Sequence, residues 1–113
     1  MEFIKNFTTS HQVYLFLEKQ ISQLKNSNYN EQKTYIESLP LEERILLINL
    51  MYIGRGDSDE NDFYKNNFHQ GYKWSYEQWK NDKFLVQQMI GKAPFINYLE
   101  AALIKYSSNF NLG

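Results

Sequence analysis

The segment from Leu41 to Ile53 constrains the fold of this chain most, because as a helix it would be apolar on almost every side. Its large apolar residues are Ile45, Leu46, Leu47, Ile48, Leu50, Met51 and Ile53. A helix with so little polar surface is either central in a core or shared between two chains. We favour the core of a single chain and keep homodimerisation through this helix as the alternative.

The residues on either side set the predicted ends of this helix. Leu39 precedes a proline and is therefore biased away from helical angles, which ends the preceding helix. Pro40 suits the first turn of the new helix, and Glu42 and Glu43 are favourable near its positive end. Gly54 is predicted to close the helix, because glycine readily adopts the positive φ common at that position.

Two helices are predicted before this segment. Ser10 is the expected N-cap of the first helix, and Asn30 is expected to cap a short second helix that ends near Glu37. Apolar residues spaced three and four apart give the first helix one buried stripe. They are Val13, Phe16, Leu17, Ile21 and Leu24.

Caps and breakers predict further helices after it. Asp57 or Ser58 is expected to cap a fourth helix that ends at Gly71. Ser75 is followed three residues later by Gln78, which is the pattern of a capping box and predicts the start of another helix.

The C-terminal third completes an all-α pattern. A break is expected near residues 81–82, and Pro94 is placed to open a final helix. No alternating strand pattern is present. We therefore predict a compact bundle of five or six helices over residues 10–106, with an N-terminal arm (1–9) and a C-terminal tail (107–113) that frays.

Composition excludes several functional classes. The 113 residues support one domain. Twelve basic and thirteen acidic residues give a net charge of −1, without the basic excess that nucleic-acid binding requires. Cysteine is absent, so disulfides and thiolate metal sites are excluded. No apolar run approaches the ~20 residues that span a bilayer. We expect a protein of the bacterial cytoplasm, or of a host cytosol after translocation.

No catalytic residue, metal ligand or cofactor is predicted. The acidic run at residues 57–62 resembles a calcium loop, but Asp62 and Phe68 replace the glycine and glutamate that such a loop needs. His11 and His69 are the only histidines and are far apart in sequence. The alternative hypothesis is a small enzyme or metal-binding domain, in which both histidines meet Glu43 and Asp57 in one cleft.

The aromatic content suggests a binding surface instead. Nine Tyr, eight Phe and two Trp are many rings for a small fold to conceal. Tyr72, Trp74 and Tyr76 are predicted to supply contact area, since Trp and Tyr are frequent interface anchors. Arg55 and Asp57 are predicted to orient the contact, although Arg55 could instead clasp a carboxylate within the chain.

Two segments carry a resemblance to a known family. A hydrophobic helix ends in Gly54-Arg55-Gly56-Asp57, and Pro94 precedes the sequence Tyr-Leu-Glu at 98–100. This pattern resembles a family of small bacterial domains of unknown function over roughly residues 38–106. The resemblance implies no activity.

In size and composition the chain is also similar to small helical inhibitors of the effectors of intracellular pathogens such as Legionella. These block partner effectors that deamidate or transglutaminate ubiquitin machinery. The resulting hypothesis is a non-enzymatic protein-binding module that inhibits or regulates a partner enzyme, with a homodimer as an option.

Overall fold

The computed structural model describes residues 3–56, 64–92 and 94–112, and this part of the chain is all-helical. A short 3₁₀ turn at Phe3–Asn6 precedes six α-helices in the described ranges. The predicted all-α bundle is therefore confirmed. The helices are α1 (Ser10–Leu24), α2 (Tyr29–Ser38), α3 (Leu41–Arg55), α4 (Phe68–Trp79), α5 (Leu85–Ile90) and α6 (Phe95–Lys105).

Helix α3 is the centre of the bundle. It packs most extensively against α6 and also contacts α4 and α5, while α1 packs on α6 and α2 packs on α5. Every residue from Ile45 to Met51 is buried. The apolar surface of α3 is thus covered within one chain, as the core interpretation predicts. The alternative of a homodimer formed through this helix loses its basis.

Two glycines near the end of α3 have different roles. The sequence predicts that the helix closes at Gly54. The helix instead continues to Arg55, and Gly56 is its C-cap, with a φ of 81°. Gly54 is needed for a different reason. A Cβ built on it would lie 1.7 Å from the carbonyl oxygen of Tyr98 in α6. The missing side chain therefore lets the two central helices touch backbone to backbone.

The N-caps of α1 and α2 lie one or two residues before the predicted positions. Thr9 precedes α1, and its N–H donates to the side chain of Gln12. Asn28 caps α2, where its Oδ1 accepts from the backbone N–H of Glu31 at 2.9 Å. Ser10 is instead fully buried and serves a tertiary contact.

That contact fixes the C-terminal tail. The Ser10 hydroxyl donates to the carbonyl of Ser108 at 2.6 Å and accepts from the N–H of Phe110 at 2.8 Å. The N–H of Leu112 donates to the Thr8 carbonyl at 2.9 Å, and Leu112 is buried. The expectation that residues 107–113 fray therefore does not hold for the described tail.

Helix α4 runs through two predicted boundaries. Gly71 and Ser75 both lie inside it, so the predicted helix end and the predicted capping box are wrong. The Ser75 hydroxyl donates to Oδ1 of Asn49 in α3 at 2.7 Å, which joins the two helices. The break predicted at residues 81–82 is confirmed, because α4 ends at Trp79 and α5 begins at Leu85. The predicted caps Asp57 and Ser58 lie outside the described residues.

The Gly54→Ala substitution tests the crossing of α3 and α6. We expect it to lower the free energy of unfolding by about 3 kcal/mol, because the clashing atom belongs to backbone that cannot rotate away. Gly56→Ala is the matched control: a Cβ there meets open space, and its positive φ costs about 1–2 kcal/mol. Urea denaturation of both variants gives the comparison. Equal stabilities would contradict the close crossing.

Candidate interaction surface

Most aromatic rings of the described residues are at least partly buried. Three are exposed, namely Tyr29 at 53%, Trp74 at 67% and Phe84 at 50% of the accessible surface of the residue. The fold therefore conceals far more of its aromatic content than the sequence analysis expects. Only these three exposed rings are therefore candidates for an aromatic contact surface within the described residues.

Trp74 and Phe84 belong to one continuous face of α4 and α5. Trp74 is on the exposed side of α4 and is one helical turn before Gln78, which places their side chains next to each other. Gln78 and Phe84 line the same open hollow of about 420 Å³, together with Asn81, Asp82 and Lys83. Gln78 is thus a helical neighbour of Trp74 and lines a hollow together with Phe84.

Phe84 also lines a second hollow. It has a volume of about 300 Å³ and is lined by Phe84, Gln87, Gln88, Gly91 and Lys92. Glutamine amides can both donate and accept hydrogen bonds, so both hollows offer an apolar ring beside polar groups. We call Trp74, Gln78, Lys83, Phe84, Gln88 and Lys92 the Trp74–Phe84 face.

Local structure forces the Phe84 ring outwards. Its backbone N–H donates to Oδ1 of Asp82 at 2.8 Å, which fixes the turn before α5. The next two residues, Leu85 and Val86, are buried at 3% and 7% exposure. Because these neighbours are anchored in the core, Phe84 remains at the surface, and the ammonium of Lys83 lies 5.5 Å from the centre of its ring.

The charge around this face is positive. Residues 73–92 hold four lysines and two acidic residues, in a chain whose net charge is −1. Both carboxylate oxygens of Glu77 accept from Lys80 at 2.9 Å, and Asp82 holds the turn before Phe84. Lys83 and Lys92 are not paired with a carboxylate among the described residues. Asp82 lines the same hollow as Lys83, whereas the lining of the second hollow contains Lys92 and no acidic residue.

The predicted contact residues of α4 have different positions. Trp74 is exposed, as the prediction requires, whereas Tyr76 is half-buried with its ring 6.2 Å from that of Tyr72. Tyr72 has no exposed surface, and its hydroxyl donates to the carbonyl of Glu42 at 3.0 Å. The expectation that Tyr72 supplies contact area does not hold, because the ring fills the space between α3 and α4.

The predicted orienting pair is only partly described. Arg55 is exposed at the end of α3, and its guanidinium carbon lies 5.3 Å from the ring centre of Tyr52. This stacking is a cation–π contact within one helix. Asp57 lies outside the described residues. Arg55 is beside the crossing of α3 and α6, and we do not include it in the Trp74–Phe84 face.

Phe84 is not among the contact residues that the sequence predicts. A helical reading of residues 75–90 places it on an apolar stripe with its neighbours. The available signal is the break that is predicted near residues 81–82, since an aspartate two residues before Phe84 is typical of a turn that interrupts the helix. A ring at the end of such a turn need not follow the helical stripe.

The two histidines have separate surroundings. Nε2 of His69 lies 2.7 Å from the Phe7 carbonyl, which can only accept, so this nitrogen carries the proton. His11 lines a small polar hollow of about 150 Å³ with Ser10 and Tyr14. Within the described ranges, no group of three or more His, Asp or Glu side chains is placed to hold a metal ion.

The same part of the chain contains no helix with the length and apolar content needed to cross a bilayer.

A family model described as "Protein of unknown function (DUF3775)" matches residues 29–107. The chain belongs to the DUF3775 family. The matched region begins with α2 and extends past the end of α6, so it contains the whole Trp74–Phe84 face. Helix α1 and the tail that Ser10 fixes lie outside it. No curated protein and no solved structure matches the chain.

The core position of Tyr72 leads to a prediction about alkaline stability. Burial, and to a lesser extent the nearby Glu42 carboxylate, raises the pKa of Tyr72 above its ordinary value of 10.0. The unfolded chain therefore releases this proton at a lower pH than the native protein. It follows that the stability of the native protein falls as the pH rises above about 10.

We expect Tyr72→Phe to lower the free energy of unfolding at neutral pH by about 1 kcal/mol, through loss of the hydrogen bond. The loss of stability above pH 10 should be smaller in this variant than in the wild type. A residual slope is expected from Tyr35, whose pKa burial also raises. Denaturation curves between pH 7 and 11 measure both effects. An unchanged slope would contradict this account of Tyr72.

Proposed function

We propose that this DUF3775-family domain is a non-enzymatic protein-binding module that inhibits or regulates a partner enzyme by covering part of its surface. The observation that carries the proposal is the exposure of Trp74 at 67% and Phe84 at 50% on one face. The same chain conceals most of its other described rings, so exposure of these two is not simply a consequence of high aromatic content.

The energetics of such a contact favour protein binding. Aromatic side chains bury 150–250 Å² each, and removing an interface tryptophan commonly costs about 2 kcal/mol or more in binding. Burial of both rings by a partner would supply the apolar centre of an interface. The glutamines and lysines around them would form its polar rim.

The class of the partner enzyme is a finer proposal. The sequence resemblance to effector-inhibitors suggests an enzyme that deamidates or transglutaminates ubiquitin machinery, encountered in the bacterial cytoplasm or in a host cytosol. The Trp74–Phe84 face supports protein binding in general and does not depend on this choice of partner.

The double substitution Trp74→Ala/Phe84→Ala tests the proposal. We expect it to abolish recovery of a specific protein partner when tagged protein is incubated with a lysate of the source cells and bound proteins are quantified by mass spectrometry. Both side chains are exposed, so the free energy of unfolding should change by no more than about 0.5 kcal/mol each.

Tyr29→Ala is the matched control, because Tyr29 is an exposed ring (53%) on a different helix, α2, and lines neither of the two hollows. It should retain the partner that the double variant loses. Recovery of the same partner by the double variant and by the wild type would show that this face is not the binding surface.

A further inference from the structure

We infer that Asn49 of α3 and Ser75 of α4 form a positioning pair, which makes the fold less stable than an apolar pair would and fixes the register of α4 on α3. Because Ser75 directly follows Trp74, the pair also fixes the direction in which Trp74 points. The importance of this direction for binding rests on the proposed function, whereas the register itself does not.

Asn49 is the one polar residue in the central run of α3. Every residue from Ile45 to Met51 is buried, and all of them except Asn49 are Ile, Leu or Met. Asn49 itself is 6% exposed. Transfer of an amide from water into such surroundings is unfavourable unless its hydrogen bonds are replaced. An apolar residue would avoid that loss, so stability alone does not explain an asparagine at this position.

The hydrogen bonds of the Asn49 amide are only half replaced. Its Oδ1 accepts from the Ser75 hydroxyl at 2.7 Å, whereas its Nδ2 is buried and has no hydrogen-bond partner in the part of the chain that the structure describes. Exchanging the two amide atoms would not help, because Ser75 would then pair with the nitrogen and leave the oxygen without a donor. A buried polar group that lacks a partner destabilises the native state.

The Ser75 bond acts on the rotation of α4 about its own axis. Apolar packing leaves some freedom, because Tyr72 and Trp79 can form a buried stripe with Phe68 on one side or with Tyr76 on the other. Ser75 lies on the Phe68 side of this stripe. Its hydrogen bond to α3 therefore selects the observed rotation, in which Phe68 is buried and Tyr76 is only half-buried.

A second hydrogen bond joins the same helices, from the Tyr72 hydroxyl to the Glu42 carbonyl at 3.0 Å. That hydroxyl is at the far end of a long side chain, so it can keep its bond while the backbone of α4 turns slightly. In Ser75 a single Cβ separates the hydroxyl from the backbone, and a hydrogen bond is directional whereas apolar contacts are not. The Ser75 bond therefore controls the backbone more closely. A single buried asparagine fixes the register of coiled coils in the same way, also with a loss of stability.

The fixed backbone determines how Trp74 is presented to a partner. Consecutive residues of a helix point about 100° apart, so Trp74 is 67% exposed while Ser75 contacts α3. A ring that is held in one direction loses less conformational entropy on binding than a ring that samples several. The positioning pair thus contributes to the affinity of the Trp74–Phe84 face without touching the partner.

The test replaces both polar groups at once, in the double variant Asn49→Leu/Ser75→Ala of the full ¹⁵N-labelled chain. Leucine has the branched shape of asparagine, and neither new side chain needs a hydrogen bond. We expect the urea midpoint to equal or exceed that of the wild type. In nuclear magnetic resonance spectra, the indole N–H signal of Trp74 should broaden or split. The amide signals of α2, which packs on α5, should stay single and serve as the control.

Two single variants give an independent comparison. Ser75→Ala leaves the whole Asn49 amide without a partner, so we expect a lower urea midpoint and the same broadening of the Trp74 signal. Ser75→Thr keeps the hydroxyl and should keep the single Trp74 signal of the wild type.

Three results would overturn the inference: a double variant that is less stable than the wild type, a single unshifted Trp74 signal in the folded double variant, or equal Trp74 signals in Ser75→Ala and Ser75→Thr. Failure of the proposed function is distinguishable. If the Trp74 signals change as expected but Trp74→Ala/Phe84→Ala still recovers the partner, the positioning pair stands and the face is not the binding surface. If that variant loses the partner and the Trp74 signal never changes, only the positioning pair is wrong.

Discussion

The burial of α3 on all sides is the constraint on which the rest of the structure depends. A helix whose residues from Ile45 to Met51 are all buried needs neighbours around its whole circumference, and α4, α5 and α6 supply them. At Gly54 the absence of a side chain lets the backbone of α6 approach directly. Because α4 and α5 use their inner sides to cover α3, their outer sides are left to form the Trp74–Phe84 face.

The sequence was sufficient to predict the fold class and the central helix, because a helix over Leu41–Ile53 is apolar on almost every side and must therefore be buried. It was insufficient where a residue with a strong local preference is used in a tertiary contact. Ser10 has the chemistry of an N-cap, yet its hydroxyl holds the C-terminal tail. Ser75 fits a capping box, yet it lies inside α4 and bonds Asn49. Local patterns could not reveal these distant partners.

At the candidate surface, too, the residue types alone do not predict which side chains are exposed, because exposure depends on where the helix begins and ends. Tyr72 and Trp74 are two residues apart, and in a helix their side chains point about 200° away from each other. Tyr72 is therefore buried against α3 while Trp74 faces outwards. The prediction that both residues supply contact area is wrong for Tyr72, because it places the start of a helix at Ser75 and so leaves the two side chains without a common helical register. Only a helix known to run from Phe68 to Trp79 separates the core ring from the surface ring.

The exposed rings are held by the core behind them, and this matters for binding. Trp79 is buried at 8% exposure on the same helix as Trp74, and Leu85 is buried directly after Phe84. Both exposed side chains are thus attached to backbone that cannot shift without opening the core. A surface that is already ordered loses little conformational entropy when a partner binds, so more of the contact energy remains as affinity. The packing of α4 and α5 against α3 therefore fixes the backbone of the exposed rings, and the proposed binding would depend on the same contacts as the stability of the fold.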